Sequence, residues 1–295
     1  MTELSQCLAC GETTFSPYLT CTDYTVSHET FNIVQCTHCK FTFTNPSPEV
    51  SKLGSYYESR AYVSHSSRPT TFMDHVYVMA RTQTIKWKTR IIKKYVTANP
   101  ISLLDYGCGT GDFLTHCKLI GWNVSGIEPS TSARQIAATK SKQTIYPGID
   151  QMPPTHFDVI TLWHVLEHVP NLHTLIESLA KSLKETGTIF IAVPNRNSWD
   201  AKYYKNTWAA FDVPRHLWHF TRQDMQKIMH AHSLNVVSTI PMKLDAYYVS
   251  LLSEKYRNKK SGPLTLIKSL LNGLRSNMSG NTTSEYSSHI YVIKK

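Results

Sequence analysis

Four cysteines, a run of three glycines and two histidine-bearing segments are the places where this sequence could do chemistry. Cys7-Leu-Ala-Cys10 and Cys36-Thr-His-Cys39 form two C-x-x-C pairs separated by 25 residues. Thiolates at that spacing suit one tetrahedral zinc ion, and four of them leave no open coordination position, so the ion would be structural. The gap is longer than in most ribbons, which keeps unmetallated thiols or two redox pairs as alternatives. Gly11 follows the first pair as in a zinc knuckle, Tyr24, Phe31, Ile33 and Val34 between the pairs could form short strands, and Cys21 reads as a bystander.

The glycines lie in LLDYGCGTGDFL, Leu103 to Leu114. Leu103 and Leu104 end an apolar run, and Asp105 stands where a strand leaves its sheet. Gly107, Gly109 and Gly111 let the backbone approach a ligand without a Cβ in the way. Phe113, Leu114, Cys117 and Ile120 then recur at helical spacing up to Gly121, a plausible helix stop. In dinucleotide-binding loops the third glycine falls one position later, where this chain has Asp112, so the spacing argues against NAD. Glu128 ends a second strand, Trp122 to Ile127, and an acid about 20 residues after such glycines can bind both hydroxyls of a ribose.

The first histidine group, His164, Glu167 and His168, has the i, i+3, i+4 spacing of one helical face. The second is FDVPRHLWHFT at 211–221, with Asp212, Arg215, His216 and His219. A titratable imidazole beside a carboxylate could deprotonate a hydroxyl or an acidic carbon, and Arg215 could neutralise an anion. The plainer reading of the same segment is core packing of Phe211, Leu217, Trp218 and Phe220.

The elements that must position these groups follow from periodicity. Phe41 to Thr70, rich in Ser, Tyr and Pro, reads as a boundary and linker marked by NPSP at 45–48. Phe72 to Val96 carries Met73, Val76, Ala80, Trp87, Ile91 and Tyr95 at helical spacing, with Pro100 beyond it, and should lie across the ligand mouth. Ala133 to Lys140 reads as a helix, Gln143 to Tyr146 as a third strand and Asp158 to Leu162 as a fourth. Leu172, Leu175, Ile176, Leu179 and Leu183 share a helix face that Gly187 should end, and Thr188 to Val193 reads as a buried central strand. Thr221 and Asp224 start a capped helix, Asn235 to Ile240 is a sixth strand and HIYVIKK at 289–295 the last. PLTLIKSLLNGLRSN, in the insertion before it, has Ile267, Leu270, Leu271 and Leu274 on one face.

Taken together, the acid before a G-x-G-x-G loop, Glu128, FDVITLWHVLEHVPN at 157–171 and GTIFIAVPN at 187–195 make the chain resemble the class I S-adenosylmethionine-dependent methyltransferases. It is similar in particular to quinone O-methyltransferases and to sugar C-methyltransferases with a zinc-binding N-terminus. The resemblance implies an α/β, Rossmann-like fold with a mostly parallel seven-stranded sheet and a small zinc-ribbon-like module. The implied divisions are a zinc module at 1–45, a linker and helical cap at 46–98, a cofactor domain at 99–242 with 289–295, and a substrate-side cap at 243–288. The implied cofactor contacts are Asp105, Tyr106, Gly107, Cys108, Gly109, Gly111, Glu128, Leu162 and Trp163, with Ile149 or Asp150 beside the adenine. The implied acid–base and acceptor residues are His216, His219, Arg215 and Asp212.

Quinone methyltransferases of this type carry E-x-x-E-H, reported to hold a divalent cation, where this chain has His164. The change argues against a magnesium-like site, since hard cations prefer oxygen ligands. H-x-x-E-H also occurs in inverted zinc proteases, but here it follows a strand end within a methyltransferase frame. The fourth strand ends in TLWH and lacks the Asn/Asp-Pro-Pro-aromatic turn of base-amino methylases. A small polar acceptor, sugar or quinol-like, is therefore expected ahead of RNA, and a non-catalytic cofactor-sensing protein is the reading of another class.

At 295 residues with 41% hydrophobic content the chain can hold one ordinary α/β domain plus attachments. The polar N-terminus MTELSQCLAC lacks a secretory core and no apolar run approaches membrane-spanning length, so a cytoplasmic protein with reduced thiols is expected. The net charge of +10 suits anionic partners. Its excess falls at Arg81, Lys86, Lys88, Arg90, Lys93 and Lys94, then at Lys255, Arg257, Lys259, Lys260, Lys268 and Arg275. These read as two solvated helix faces, with a membrane-surface helix at 263–275 as the alternative.

Overall fold

The computed structural model describes residues 1–57, 72–258 and 262–295, with the backbone alone for 72–80. The remainder of the expected linker, the side chains of Met73, Val76 and Ala80, and Lys259 and Lys260 lie outside the described residues. A central sheet organises the chain. Its strands are β4 (Ser102–Tyr106), β5 (Asn123–Ile127), β6 (Ile145–Tyr146), β7 (Phe157–Trp163), β8 (Leu183–Pro194), β10 (Asn235–Pro241) and β11 (Ser288–Lys294). They stand in the order β10-β11-β8-β7-β4-β5-β6, with β11 antiparallel to both its neighbours and the rest of the sheet parallel. The chain reverses direction of growth between β4 and β7. Such a switch point leaves a crevice beyond the strand ends, where ligands of open α/β sheets bind.

Burial explains why these strands sit centrally. Ile189 to Val193 of β8 are all buried, as a strand covered on both faces requires. Helix α1 (Phe72–Tyr95), α2 (Asp112–Leu119), α3 (Thr131–Ser141) and α4 (Leu172–Ser182) flank the parallel part. Leu172, Leu175, Ile176 and Leu179 of α4 form its buried face, as their spacing predicts. The helix ends earlier than expected, at Ser182, and Gly187 lies inside β8. The glycine there answers packing and does not stop a helix: a Cβ on it would sit 2.7 Å from Leu183 Cδ1. The third strand is also shorter than expected, two residues at the sheet edge.

A second sheet holds β1 (Phe15–Thr22), β2 (Thr30–Cys36), β3 (Thr42–Thr44) and β9 (Trp218–His219). Its composition corrects the reading of a linker from Phe41. Phe41 and Phe43 are fully buried, and β3 pairs with β2 on one side and with β9, from the histidine segment, on the other. The alternating Phe41-Thr42-Phe43 packs on Trp218 and Phe220, so aromatic burial outweighs the polar character of the residues beyond Thr44. The N-terminal sheet is thereby stitched to the segment of the main domain that carries His216 and His219.

After β8 come α5 (Trp199–Tyr204), α6 (Arg222–His230), and a helical pair, α7 (Asp245–Asn258) and α8 (Pro263–Thr283). α6 begins with the full capping box expected of Thr221 and Asp224. No described helix is long and apolar enough to cross a membrane.

Candidate functional site

The glycine loop is shaped by three left-handed glycines, at φ +73°, +55° and +77° for Gly107, Gly109 and Gly111. A Cβ on Gly107 would lie 2.6 Å from Val165, and one on Gly111 would press on Ala137 at 3.0 Å. Gly109 faces open space within 4 Å, which is the room a ligand needs. Its amide donates to Glu128 Oε2 at 2.9 Å, and the Ser130 amide donates to Oε1 at 2.9 Å. Glu128 is thus fixed at the end of β5, facing the loop. Burial raises its carboxyl, against the pull of those two amides. Asp105, buried in β4, accepts from the Thr161 hydroxyl at 2.7 Å and is likewise raised by burial.

Helix α1 runs over this crevice. Arg81 pairs with Asp112 at the start of α2, at 3.0 Å. Lys88, expected on a solvated face, turns inward, and its Nζ lies 4.1 Å from the Trp163 ring centroid. Burial lowers this ammonium, with Asp105 and Asp245 opposing the shift. No spacing signal in α1 separated Lys88 from its exposed neighbours.

The second half of the site begins where β7 ends. His164 adopts a left-handed backbone at φ 56° and directs its ring between two carboxylates, Asp245 Oδ2 at 3.0 Å and Glu167 Oε1 at 3.4 Å. Burial would lower this imidazole, but Asp245 and Glu167 raise it to about 10, so it is a cation at neutral pH. Glu167 is fully buried. Desolvation alone would push its carboxyl up, and the surrounding histidines hold it below the usual range instead. His168 is held neutral, lowered to about 4 first by burial and then by His216. Its Nδ1 lies 3.1 Å from the Arg215 carbonyl and 2.9 Å from Tyr57 Oη.

The segment after β8 supplies the opposite wall. His216 Nδ1 lies 2.8 Å from the Ala210 carbonyl, which fixes a proton on that nitrogen and makes Nε2, 3.9 Å from Asp212 Oδ2, the position at which a further proton is taken up or released. Arg215 uses its fork within the protein: Nη2 donates to Asp23 at 2.9 Å and to Asp212 at 2.6 Å, and Nη1 to the Tyr56 carbonyl at 3.0 Å. His219, in β9, is buried 3.1 Å from the Thr44 hydroxyl, and burial lowers it well below its ordinary value. His164, Asp212, Arg215, His216, Asp245 and Tyr248 line one cavity of about 410 Å³, with Thr25 and Tyr56 from the N-terminal part. His219 is outside its lining. Sequence reading missed Asp23, Tyr56 and Asp245; of these only Asp23, in D-x-T-x-S, carries a local turn signal, since it accepts bonds from Thr25, Val26 and Ser27.

Among the described residues two clusters offer metal donors. The Sγ atoms of Cys7, Cys10, Cys36 and Cys39 lie within 4.8 Å of one another, and Cys7–Cys39 and Cys10–Cys36 are both 3.6 Å apart. Glu167, His168 and His216 also bring one donor each within 4.8 Å. Two imidazoles and one carboxylate do not fit the oxygen shell of a magnesium-like ion.

A parallel sheet with its switch point between β4 and β7, a three-glycine loop and a carboxylate held at the end of the next strand define a class I S-adenosylmethionine-dependent methyltransferase. The chain matches the methyltransferase-domain family over residues 79–239, more than half its length, and belongs to that family. It is 36% identical over 109 residues to the ubiquinone biosynthesis O-methyltransferase of Glaesserella parasuis serovar 5, covering 32% of this chain and 46% of that protein. With the enzyme of the same name from Hydrogenovibrio crunogenus it shares 29% over 119 residues, 37% of this chain and 49% of the other. It thus spans about half the length of the curated relatives it matches. The magnesium protoporphyrin IX methyltransferase of Synechocystis PCC 6803, solved with bound SAH, superposes with a TM-score of 0.54 at 14% identity, covering 84% of this chain and 100% of that one. At that identity the likeness shows the fold.

Proposed function

We propose that this chain transfers a methyl group from S-adenosylmethionine to a hydroxyl of a small, quinol-like acceptor. The observation that carries the reading is one cavity lined both by His216, whose Nδ1 is turned to the Ala210 carbonyl, and by His164, which directly follows β7. Asp105, Tyr106, Gly107, Cys108, Gly109 and Gly111 would cradle the cofactor. Glu128 would take its ribose, Ile149 and Asp150 its adenine side, and Leu162 and Trp163 would border its methionine end. The open space at Gly109 and the preset Glu128 carboxylate fit such a ligand. When bound, that cofactor supplies an electrophilic methyl group.

The remaining work belongs to the chain. His216 Nε2 accepts the acceptor's hydroxyl proton, with the tautomer set by Ala210 and the resulting imidazolium facing Asp212. Arg215 clamps Asp212 and the N-terminal turn in place, and α7 lines the cavity through Asp245, Tyr248, Val249 and Leu252. His219 acts as a packing residue behind this wall. Cys7, Cys10, Cys36 and Cys39 would hold a structural zinc: a tetrahedral ion with Zn–S of about 2.3 Å sets its sulfurs about 3.8 Å apart, close to the distances found. In this reading 1–45 is the zinc module, 46–98 linker and cap, 99–242 with 289–295 the cofactor domain and 243–288 the substrate cap. In this reading the thiols are reduced and the enzyme is cytoplasmic. Incubation with methyl-labelled S-adenosylmethionine and a panel of catechols, hydroxylated sugars and RNA tests the proposal. Label in a catechol supports it, and label only in sugar or RNA overturns it.

A further inference from the structure

Helix α8 is built inside out. Its buried residues include Ser269, Asn272, Gly273, Ser276 and Gly280, while Leu264, Ile267, Leu270, Leu271, Leu274 and Met278 are 48–73% exposed. The inner face is held by specific bonds. Asn272 Nδ2 donates to Tyr204 Oη at 2.9 Å and to Glu254 Oε1 at 3.1 Å, and the Ser276 hydroxyl donates to Asp200 at 2.7 Å. Gly273 lies against Tyr247, where a Cβ would come within 2.5 Å of the ring. Turning the helix to bury its leucines would break these bonds and drive side chains into Tyr247. The apolar face is therefore fixed outward, as a contiguous patch of the kind that marks an interaction surface.

We propose that this face docks on an anionic phospholipid bilayer. At 100° per residue these exposed apolar side chains, with Leu266 at 42% exposure, cover an arc of about 160°, wider than the a/d seam of a two-stranded coil. Lys268 and Arg275 lie together at one rim of the arc, and Pro263–Thr283 contains no acidic residue. Basic residues beside a broad apolar face are what a helix lying at an anionic headgroup boundary requires. A second copy of the chain fits less well. Antiparallel pairing along the stripe would bring Lys268 and Arg275 of two chains together with no carboxylate between them. The partner helix α7 lines the acceptor cavity through Asp245 and Tyr248, so docking sets that cavity near the bilayer. The docking surface itself does not depend on the identity of the acceptor.

Flotation of the full-length protein with phosphatidylcholine vesicles, with and without phosphatidylglycerol, tests this. The wild type should float with the anionic vesicles, at least tenfold more than with neutral ones, and be released by high salt. Leu271→Glu/Leu274→Glu should lose at least tenfold of this binding. Lys268→Glu/Arg275→Glu should lose the preference for anionic lipid, by roughly fivefold per charge. Binding of S-adenosylhomocysteine reports that each variant is folded and should be unchanged. Absence of wild-type flotation, equal flotation of the leucine variant, or a sedimenting dimer that the leucine variant dissolves without any vesicle binding would each overturn the proposal.

Discussion

Arg215 Nη2 stands 2.9 Å from Asp23 Oδ1, a contact between residues 192 apart in sequence that ties the N-terminal sheet to the segment carrying His216. Arg215 is 4% exposed and Asp23 fully buried, and Asp212 is held by the same guanidinium. Through this pair Thr25 and Tyr56 of the N-terminal part line the same cavity as His216.

Removing the guanidinium would strand two carboxylates. Arg215→Ala is expected to destabilise the fold by about 3–5 kcal/mol, the usual result of breaking a buried ion pair from one side. Urea unfolding measures it. A loss under about 1 kcal/mol would mean that the contact forms only loosely in solution.

Zinc should be present at one ion per chain in protein purified without added metal, and Cys36→Ser should lose it. Because β3 pairs with β9, the variant should keep its affinity for S-adenosylhomocysteine and lose acceptor turnover. Calorimetry beside elemental analysis reads both, and a metal-free wild type with full activity would contradict the assignment.

In the proposed reading cofactor affinity rests on the glycine loop and on Glu128. Gly109→Arg should abolish S-adenosylhomocysteine binding by filling the open space, and Glu128→Ala should weaken it about 10–100-fold, the scale of one or two charge-assisted hydrogen bonds. Calorimetric affinities equal to wild type in both would show that the ligand lies elsewhere.

The His164 cation gives stability a particular pH dependence. Its folded pKa, raised to about 10 by Asp245 and Glu167, lies above the unfolded value near 6.5. Its contribution is therefore complete below about pH 6.5 and lost as pH climbs through about 10. The Tm difference between wild type and His164→Gln should shrink over that interval. A difference independent of pH would place the proton elsewhere.

How much of this could be read beforehand depended on whether the determinant was local. The glycine loop, Glu128 and the cysteine pairs are defined by neighbours in sequence, and the buried run of β8 by its own composition. Asp245, Lys88 and Tyr56 reach the site only through tertiary packing, and nothing in their own segments marks them. Gly187 misled for the opposite reason, since a glycine demanded by contact with Leu183 has the same spelling as one that ends a helix. Arg215 and His219 have residue types that suggest chemistry, but Asp23, Asp212 and Thr44 engage them within the protein.

Methyl transfer assisted by His216 is read out by label transfer from S-adenosylmethionine to a short-chain prenylated catechol, followed across pH at saturating cofactor for wild type and His216→Gln. The wild type should turn over. His216→Gln should be slower by about 10²–10⁴-fold, with S-adenosylhomocysteine affinity unchanged and the rate rising with pH as the acceptor ionises by itself. Equal rates and pH profiles for the two proteins would contradict it.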